Sequence, residues 1–346
     1  MRRVGFFGGA VVGPPGLPES YLAVSMVSSE DVPSIGIYRR DGDALIRLSG
    51  PIPAPTLEPK GLAFSPDGTH LAVGLGTGSA AASFAVYDRV GDTFTKTAQN
   101  LSGYTTDPIA YSPDGSHLLL GGATKGSMPV LKRSGATYSA LSAIAFPEST
   151  ASFRAAAYTA NGSLLIVATL TSREVPDGGQ LHVYTRSGDA YARASTITLP
   201  GTYSPRAVAV APNGVHVAVA SDDTVRIYKL SGTTLTLLTS LTSWPSGVAF
   251  SPDSGYLAVG TYPNISLFKR SGDTFTSLPA PSAGATNMVF SGDGNYLSFL
   301  TVSDSGTTSV TTCKRVGDTF TILPPPAVQP EPYVWGLAGY PLALYG

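Results

Sequence analysis

Two short landmarks recur through the whole chain in one register, and they restrict its fold more than any other feature. The first is a turn, seen as Ser65-Pro66-Asp67-Gly68, Ser112-Pro113-Asp114-Gly115, Ala160-Asn161-Gly162 and Ala211-Pro212-Asn213-Gly214. It returns as Ser251-Pro252-Asp253-Ser254-Gly255 and Ser291-Gly292-Asp293-Gly294, with a degenerate copy at Gly13-Pro14-Pro15-Gly16. The second is a glycine with an apolar residue three positions later: Gly42/Leu45, Gly91/Phe94, Gly135/Tyr138, Gly188/Tyr191, Gly232/Leu235, Gly272/Phe275 and Gly317/Phe320. The mean spacing of these seven glycines is about 46 residues, inside the range of propeller blades.

Each repeat resolves into four strands. In the second, Gly61-Leu62-Ala63-Phe64 is turned by Ser-Pro-Asp-Gly into His70-Leu71-Ala72-Val73. Proline presets φ at the turn's second position, and Asp and Gly accept the conformations that follow. Ser83-Phe84-Ala85-Val86-Tyr87 is the third strand, and Val90-Gly91-Asp92 turns it into Thr93-Phe94-Thr95-Lys96, whose alternation suits a half-exposed strand. With 39 Gly and 28 Pro, 42% hydrophobic and only 13% charged residues, a lone four-stranded sheet would leave two greasy faces bare. Seven sheets packed face to face around an axis bury one another. The expected fold is all-β: a seven-bladed β-propeller of four-stranded antiparallel blades forming one domain over 1–346. Segment 1–18 holds the first inner strand, 19–323 the repeats and 324–346 a closing piece. Tyr333–Ala338 and Pro341–Leu344 resemble another pair of inner strands, so pairing of the N- and C-terminal strands is expected to seal the ring.

Charge excludes one large class of partners. Lys plus Arg is 22 against 23 Asp plus Glu, a net charge of −1, so no basic field exists to bind nucleic acid. No apolar run reaches the ~18 residues of a membrane span. Met1-Arg2-Arg3 before residues 4–12 is too short and Gly-interrupted to read as an export signal. The single cysteine, Cys313, rules out an intrachain disulfide framework.

Antiparallel strands place the stereotyped turns at one end of each blade and the irregular connections 25–34, 74–82, 169–179 and 302–307 at the other, with the interblade links. Contacts with other molecules are expected on that variable rim or in the central channel. No residue is assigned a catalytic, cofactor-binding or metal-binding role. His70, His117 and His216 share one repeat position with Tyr21, Leu164, Tyr256 and Tyr296, and read as rings packing on the next blade. His182 stands alone at the start of a third strand. Cys313 aligns with Tyr38, Tyr87, Leu131, Tyr184, Tyr228 and Phe268, and reads as a small buried hydrophobe. Asp67, Asp114, Asp253 and Asp293 read as turn-stabilising acids. Asp222-Asp223 and the segment Glu174-Val175-Pro176-Asp177-Gly178-Gly179 match no Ca²⁺ loop, and no nucleophile elbow, HExxH or Walker sequence occurs. The pairs Arg39-Arg40, Lys132-Arg133, Lys269-Arg270 and Lys314-Arg315 read as outer-edge charges that deter edge pairing. With only two tryptophans, Trp244 and Trp335, no sugar-stacking ring recurs in every blade.

The units Phe64-Ser65-Pro66-Asp67-Gly68-Thr69-His70-Leu71-Ala72-Val73 and Phe268-Lys269-Arg270-Ser271-Gly272-Asp273-Thr274-Phe275-Thr276 resemble WD-repeat-like propeller sequences. They are similar in particular to repeats of bacteriophage structural proteins and related bacterial propellers, over about residues 10–323; the eukaryotic WD dipeptide is missing. That resemblance implies a non-enzymatic virion component of tail, neck or capsid surface, assembled in the host cytoplasm. Its expected partners are other virion proteins, copies of itself and a host surface, with no nucleic acid, no membrane and no cofactor. Two alternatives stand beside it: a lactonase-like propeller hydrolase with acids or histidines converging at the inner ends of several first strands, and an extracellular or periplasmic interaction propeller.

Overall fold

The computed structural model describes residues 21–327, apart from short segments at 28–32, 58, 77–82, 98–100, 103–108, 122–124, 172–177, 202–203, 223, 243, 262–263 and 303–307. Every strand in it is antiparallel to its sheet neighbours, and no helix occurs among the described residues. Five sheets have four strands in chain order, from the inner strand next to the axis to the outer edge, and the second blade adds to the same four a short fifth, Leu101–Ser102, beside its third strand. In the second blade these are Pro59–Phe64, His70–Leu75, Ser83–Val90 and Thr93–Lys96. The first blade shows three, Tyr21–Val27, Pro33–Asp41 and Ala44–Arg47, which correspond to the second, third and outer strands elsewhere. Its inner strand and the expected clasp between the chain ends lie outside the described residues.

Seven blades of this kind make a β-propeller, and the distribution of apolar side chains shows why the blades need one another. Seven buried clusters occur, and each joins two adjacent blades. One of them sets Leu22, Val24, Tyr38 and Leu45 of the first blade against Val289, Leu300 and Val310 of the seventh, so packing closes the circle. Each buried Val, Leu or Phe contributes about 1.5–3 kcal/mol, and only through a neighbouring sheet.

The turns behave as the glycine spacing predicts. All seven third-to-outer turn glycines have positive φ, from Gly42 at 54° to Gly135 at 60°. In the first-to-second turns Gly68, Gly115, Gly162, Gly214 and Gly294 do the same, and Ser254 takes the place of glycine at φ 56°. Ser254 keeps that unfavourable conformation while its Oγ, 97% buried with the rest of the residue, accepts the Asn213 N–H of the preceding blade at 2.9 Å. A Cβ on Gly115 would meet Pro66 of the preceding turn at 3.4 Å, so neighbouring turns stack around this face.

Candidate functional site

The stereotyped face carries most of the ionisable side chains, and it is a clasp between blades. At the junction of blades three and four, Asp114 Oδ1 accepts hydrogen bonds from Ser112 Oγ at 2.6 Å and from Ser116 N and Oγ at 3.1 and 2.7 Å. Its Oδ2 receives Arg186 Nη2 from the next blade at 2.8 Å. The same Nη2 lies 2.6 Å from His117 Nδ1. A guanidinium only donates, so Nδ1 accepts and the His117 proton resides on Nε2, which donates to Asp189 at 3.1 Å. Lys132 Nζ closes the group at 2.6 Å from the other Asp189 oxygen. Burial, and next the Arg186 charge, lower the His117 pKa and keep it neutral.

Where tyrosine replaces histidine the hydroxyl donates instead. Tyr296 Oη donates to Asp43 at 2.7 Å and Tyr21 Oη to Asp92 at 2.8 Å, with Arg40 and Arg89 lying 4.0 and 4.5 Å from the respective ring centres. Both residue types thus present one donor on a flat ring, which explains why they alternate at one repeat position. The expectation that these histidines pack on the next blade holds.

The turn acids keep their expected role and gain a second one. Burial raises the Asp67 pKa, but hydrogen bonds from Ser65 and Thr69 and the Arg133 charge outweigh it and hold the carboxyl well below the usual range. The Lys/Arg pairs are not edge guards. The second cation of a pair reaches back to the preceding blade: Arg133 and Arg315 are only 12% and 14% exposed, and Arg186, which follows Thr185, holds the same repeat position at 9%. The first reaches forward, as Lys269 does to Asp318 at 2.7 Å and Lys314 to Asp43 at 2.8 Å. Burial between sheets sets the environment of these arginines, while the lysines, 40% to 49% exposed, bridge the seam at its surface.

The junction of blades four and five lacks this clasp. Leu164, Asn161, Thr233 and Leu230 occupy the ring, turn-acid, second-acid and arginine positions. Leu230 is buried in an apolar cluster against which Leu164 packs.

At the opposite, variable end of the same two blades a polar group assembles. The inner strands Ser152–Tyr158 and Pro205–Val210 each contain a β-bulge, and the extra residues are Arg154 and Arg206. A bulge re-aims a side chain out of the pleat. Arg154 Nη2 reaches Ser204 Oγ of the next blade at 3.1 Å. Arg206 grips Asp222 with Nε at 2.9 Å and Nη2 at 2.7 Å, both side chains being a little over a quarter exposed. Arg226 donates to Ser221 Oγ at 3.1 Å and to the Pro200 carbonyl at 2.6 Å. Three guanidiniums and one carboxylate therefore share the loop end of blades four and five. Sequence reading singled out Asp222 but missed the arginines; a cation four residues before the end of each inner strand was the available signal.

The remaining candidates are structural. His182 is fully buried, its ring stacked on Phe146 at 6.2 Å and both nitrogens within 3.0 Å of Thr169 and Thr196 hydroxyls. Burial lowers its pKa to about 4. Cys313 is buried, and burial pushes its thiol up to about 12. Among the described residues no three His, Cys, Asp or Glu side chains group as metal ligands, and no helix is long and apolar enough to cross a membrane. Trp244 is exposed. Glu174, Asp177, Asp223 and Trp335 lie outside the described residues.

Comparison with known proteins agrees on the fold. The WD domain, G-beta repeat family matches residues 194–229, a stretch from the outer strand of blade four to the third strand of blade five. No curated protein matches the sequence. A Bacteroides fragilis protein provisionally named a 6-phosphogluconolactonase superimposes with a TM-score of 0.71 at 15% identity, covering 92% of this chain and 98% of that one. The periplasmic gluconolactonase of Pseudomonas aeruginosa gives 0.70 at 16% identity, covering 92% and 97%. The β-propeller domain of Myceliophthora thermophila Cps50 (Swd1) gives 0.61 at 13%, covering 81% and 93%. The chain is a WD-repeat-like seven-bladed β-propeller. The expectation of a non-enzymatic virion component is corrected by the two neighbours that bear lactonase names, and none of the three carries a link to a phage particle.

Proposed function

We propose that this propeller hydrolyses sugar lactones at the loop end of blades four and five. The observation that carries the reading is the Asp222 carboxylate gripped by Arg206, with Arg154 and Arg226 anchored at the same loop end; the lactonase neighbours lend it support. Lactone hydrolysis needs a group that takes a proton from the attacking water and cations that stabilise the negative charge developing on the carbonyl oxygen. Asp222, steadied by Arg206, serves as the proton acceptor, and the neighbouring guanidiniums serve the oxyanion. The water oxygen bonds to the carbonyl carbon, the ring C–O bond breaks, and the departing alkoxide takes the proton to give an open-chain hydroxy acid. The histidines or acids expected at several inner strands are replaced in this role by arginines. A periplasmic setting, as for the Pseudomonas neighbour, suits the reading better than a virion.

The test is hydrolysis of δ-gluconolactone and its 6-phosphate, followed by proton release against the uncatalysed rate. Asp222→Asn and Arg206→Gln are expected to lower kcat/KM by about a hundredfold without changing Tm by more than about 2 °C. Full activity in Asp222→Asn, or no wild-type acceleration on either lactone, would overturn the reading.

A further inference from the structure

A groove of about 700 Å³ opens on the flank of the ring, between the outer parts of blades three and four. It exists because the outer strand of blade four outruns that of blade three. The latter, Thr137–Ala140, has four residues, as do the outer strands of blades one, two and seven. The following link then turns away so that Ile144–Ala145 pairs with Ser127–Met128 instead of continuing along the blade. That pairing is locked by Gly126, at φ 83°, where a Cβ would lie 2.7 Å from the Ser149 carbonyl oxygen. The nine-residue outer strand of blade four, Ala190–Thr198, therefore has no equally long neighbour to lie against.

The groove is floored by Tyr184 and Tyr191, walled by the link at Ser142 and Ala143, and flanked by Asp189 and Arg193. Both tyrosine hydroxyls are engaged, Tyr184 Oη with the Ala145 carbonyl at 3.0 Å and Tyr191 Oη with Tyr158 at 2.7 Å; Tyr184 is buried, so the ring of the half-buried Tyr191 is what the floor offers. Of the two charges, Asp189 is neutralised by Lys132 and accepts a hydrogen bond from His117. Arg193 is exposed and has no ion-pair or hydrogen-bond partner among the described residues. Among the lining residues the one charge without an ion-pair partner is thus positive, beside the half-buried Tyr191 ring and in a volume typical of small-ligand sites. The Glu148 carboxylate, held by Gln180, lies behind the link and outside the lining.

We propose that this groove is a second binding site, separate from the loop-end cluster, for a small ligand that carries a carboxylate or phosphate on a flat ring. The ring lies over Tyr191, and the anion pairs with the Arg193 guanidinium, which suits planar oxyanions. The inference does not depend on lactone hydrolysis.

Benzoate and phenyl phosphate, with benzyl alcohol as the uncharged ring and inorganic phosphate as the bare anion, distinguish the contributions by calorimetric titration of the full chain. Wild type is expected to bind one or both ring anions and neither control at comparable strength. Arg193→Gln should weaken that binding by about tenfold or more. Ala143→Trp, which fills the groove from its exposed wall and leaves Arg193 in place, should abolish it. Arg206→Gln at the loop end should leave it unchanged, with Tm confirming that each variant folds. Equal binding in Arg193→Gln or Ala143→Trp, loss in Arg206→Gln, or no binding of either ring anion to wild type would overturn the proposal.

Discussion

Replacing Arg186 by methionine keeps an apolar stem of similar length and removes a guanidinium that is 91% buried between blades three and four. Beside the contacts to Ser116 Oγ and the exposed one to the Gly188 carbonyl, the loss falls chiefly on two partners of different value. Asp114 is 54% exposed, so water compensates most of its missing ion pair, worth under about 1 kcal/mol. His117 is 98% buried at the side chain, and its Nδ1 loses a charged donor while Ser116 remains 2.7 Å away. A charge-assisted hydrogen bond to a buried group is worth about 1.5–3 kcal/mol, reduced here by the surviving hydroxyl. The sum is about 2 kcal/mol, which lowers the Tm of a chain this size by about 3 °C. The pH dependence supplies a sharper criterion. Burial and then Arg186 depress the His117 pKa, so the wild type loses stability as pH falls from the unfolded value of 6.5 toward the folded one. Without Arg186 the folded pKa rises and less is lost. The gap in Tm between the two proteins should be widest above pH 7 and narrow by pH 5. A shift under 1 °C, or a gap of equal size at pH 8 and pH 5, would show that the clasp is not an electrostatic one.

At the clasp-free junction, Leu230→Arg should destabilise by about 2–4 kcal/mol because it buries a charge without an acid. Adding Asn161→Asp should recover at least about 1 kcal/mol in a double-mutant cycle followed by urea titration. His182, with a folded pKa of about 4 against 6.5 unfolded, contributes full stability above pH 6.5 and up to about 3 kcal/mol less as pH falls to 4. Urea midpoints of wild type and His182→Gln should therefore converge in that window, and parallel curves would contradict the neutral, buried assignment. Cys313 should resist a thiol reagent at pH 8 in the native protein and react stoichiometrically in denaturant; rapid native labelling would contradict its burial.

The architecture is legible from the glycines because a left-handed turn leaves residues few alternatives, and the positions read from spacing, Gly42 through Gly317, all adopt it. The alternation in Thr93–Lys96 likewise identifies an outer strand with Phe94 inward. The clasp was half visible. Each Arg two residues before the turn glycine and each Asp one residue after it recur with the same period, yet their partners lie a whole blade away, and a linear pattern does not say which blade. The arginines of the loop end were hidden for another reason. Arg154 and Arg206 sit in bulges, where one extra residue breaks the two-residue alternation that strand reading relies on. The virion reading rested on repeat likeness, which reports how a sheet turns and carries little about what its loops do.

Because every apolar cluster belongs half to one sheet and half to the next, no repeat has an interior of its own. Excising one unit would strip oil-like surface bare on both sides of the gap, and the six survivors would have to tilt further inward to meet. New copies of such a gene segment can therefore be gained or lost only when the whole wheel finds a new curvature, whereas the loops at its rim are free to diverge one by one.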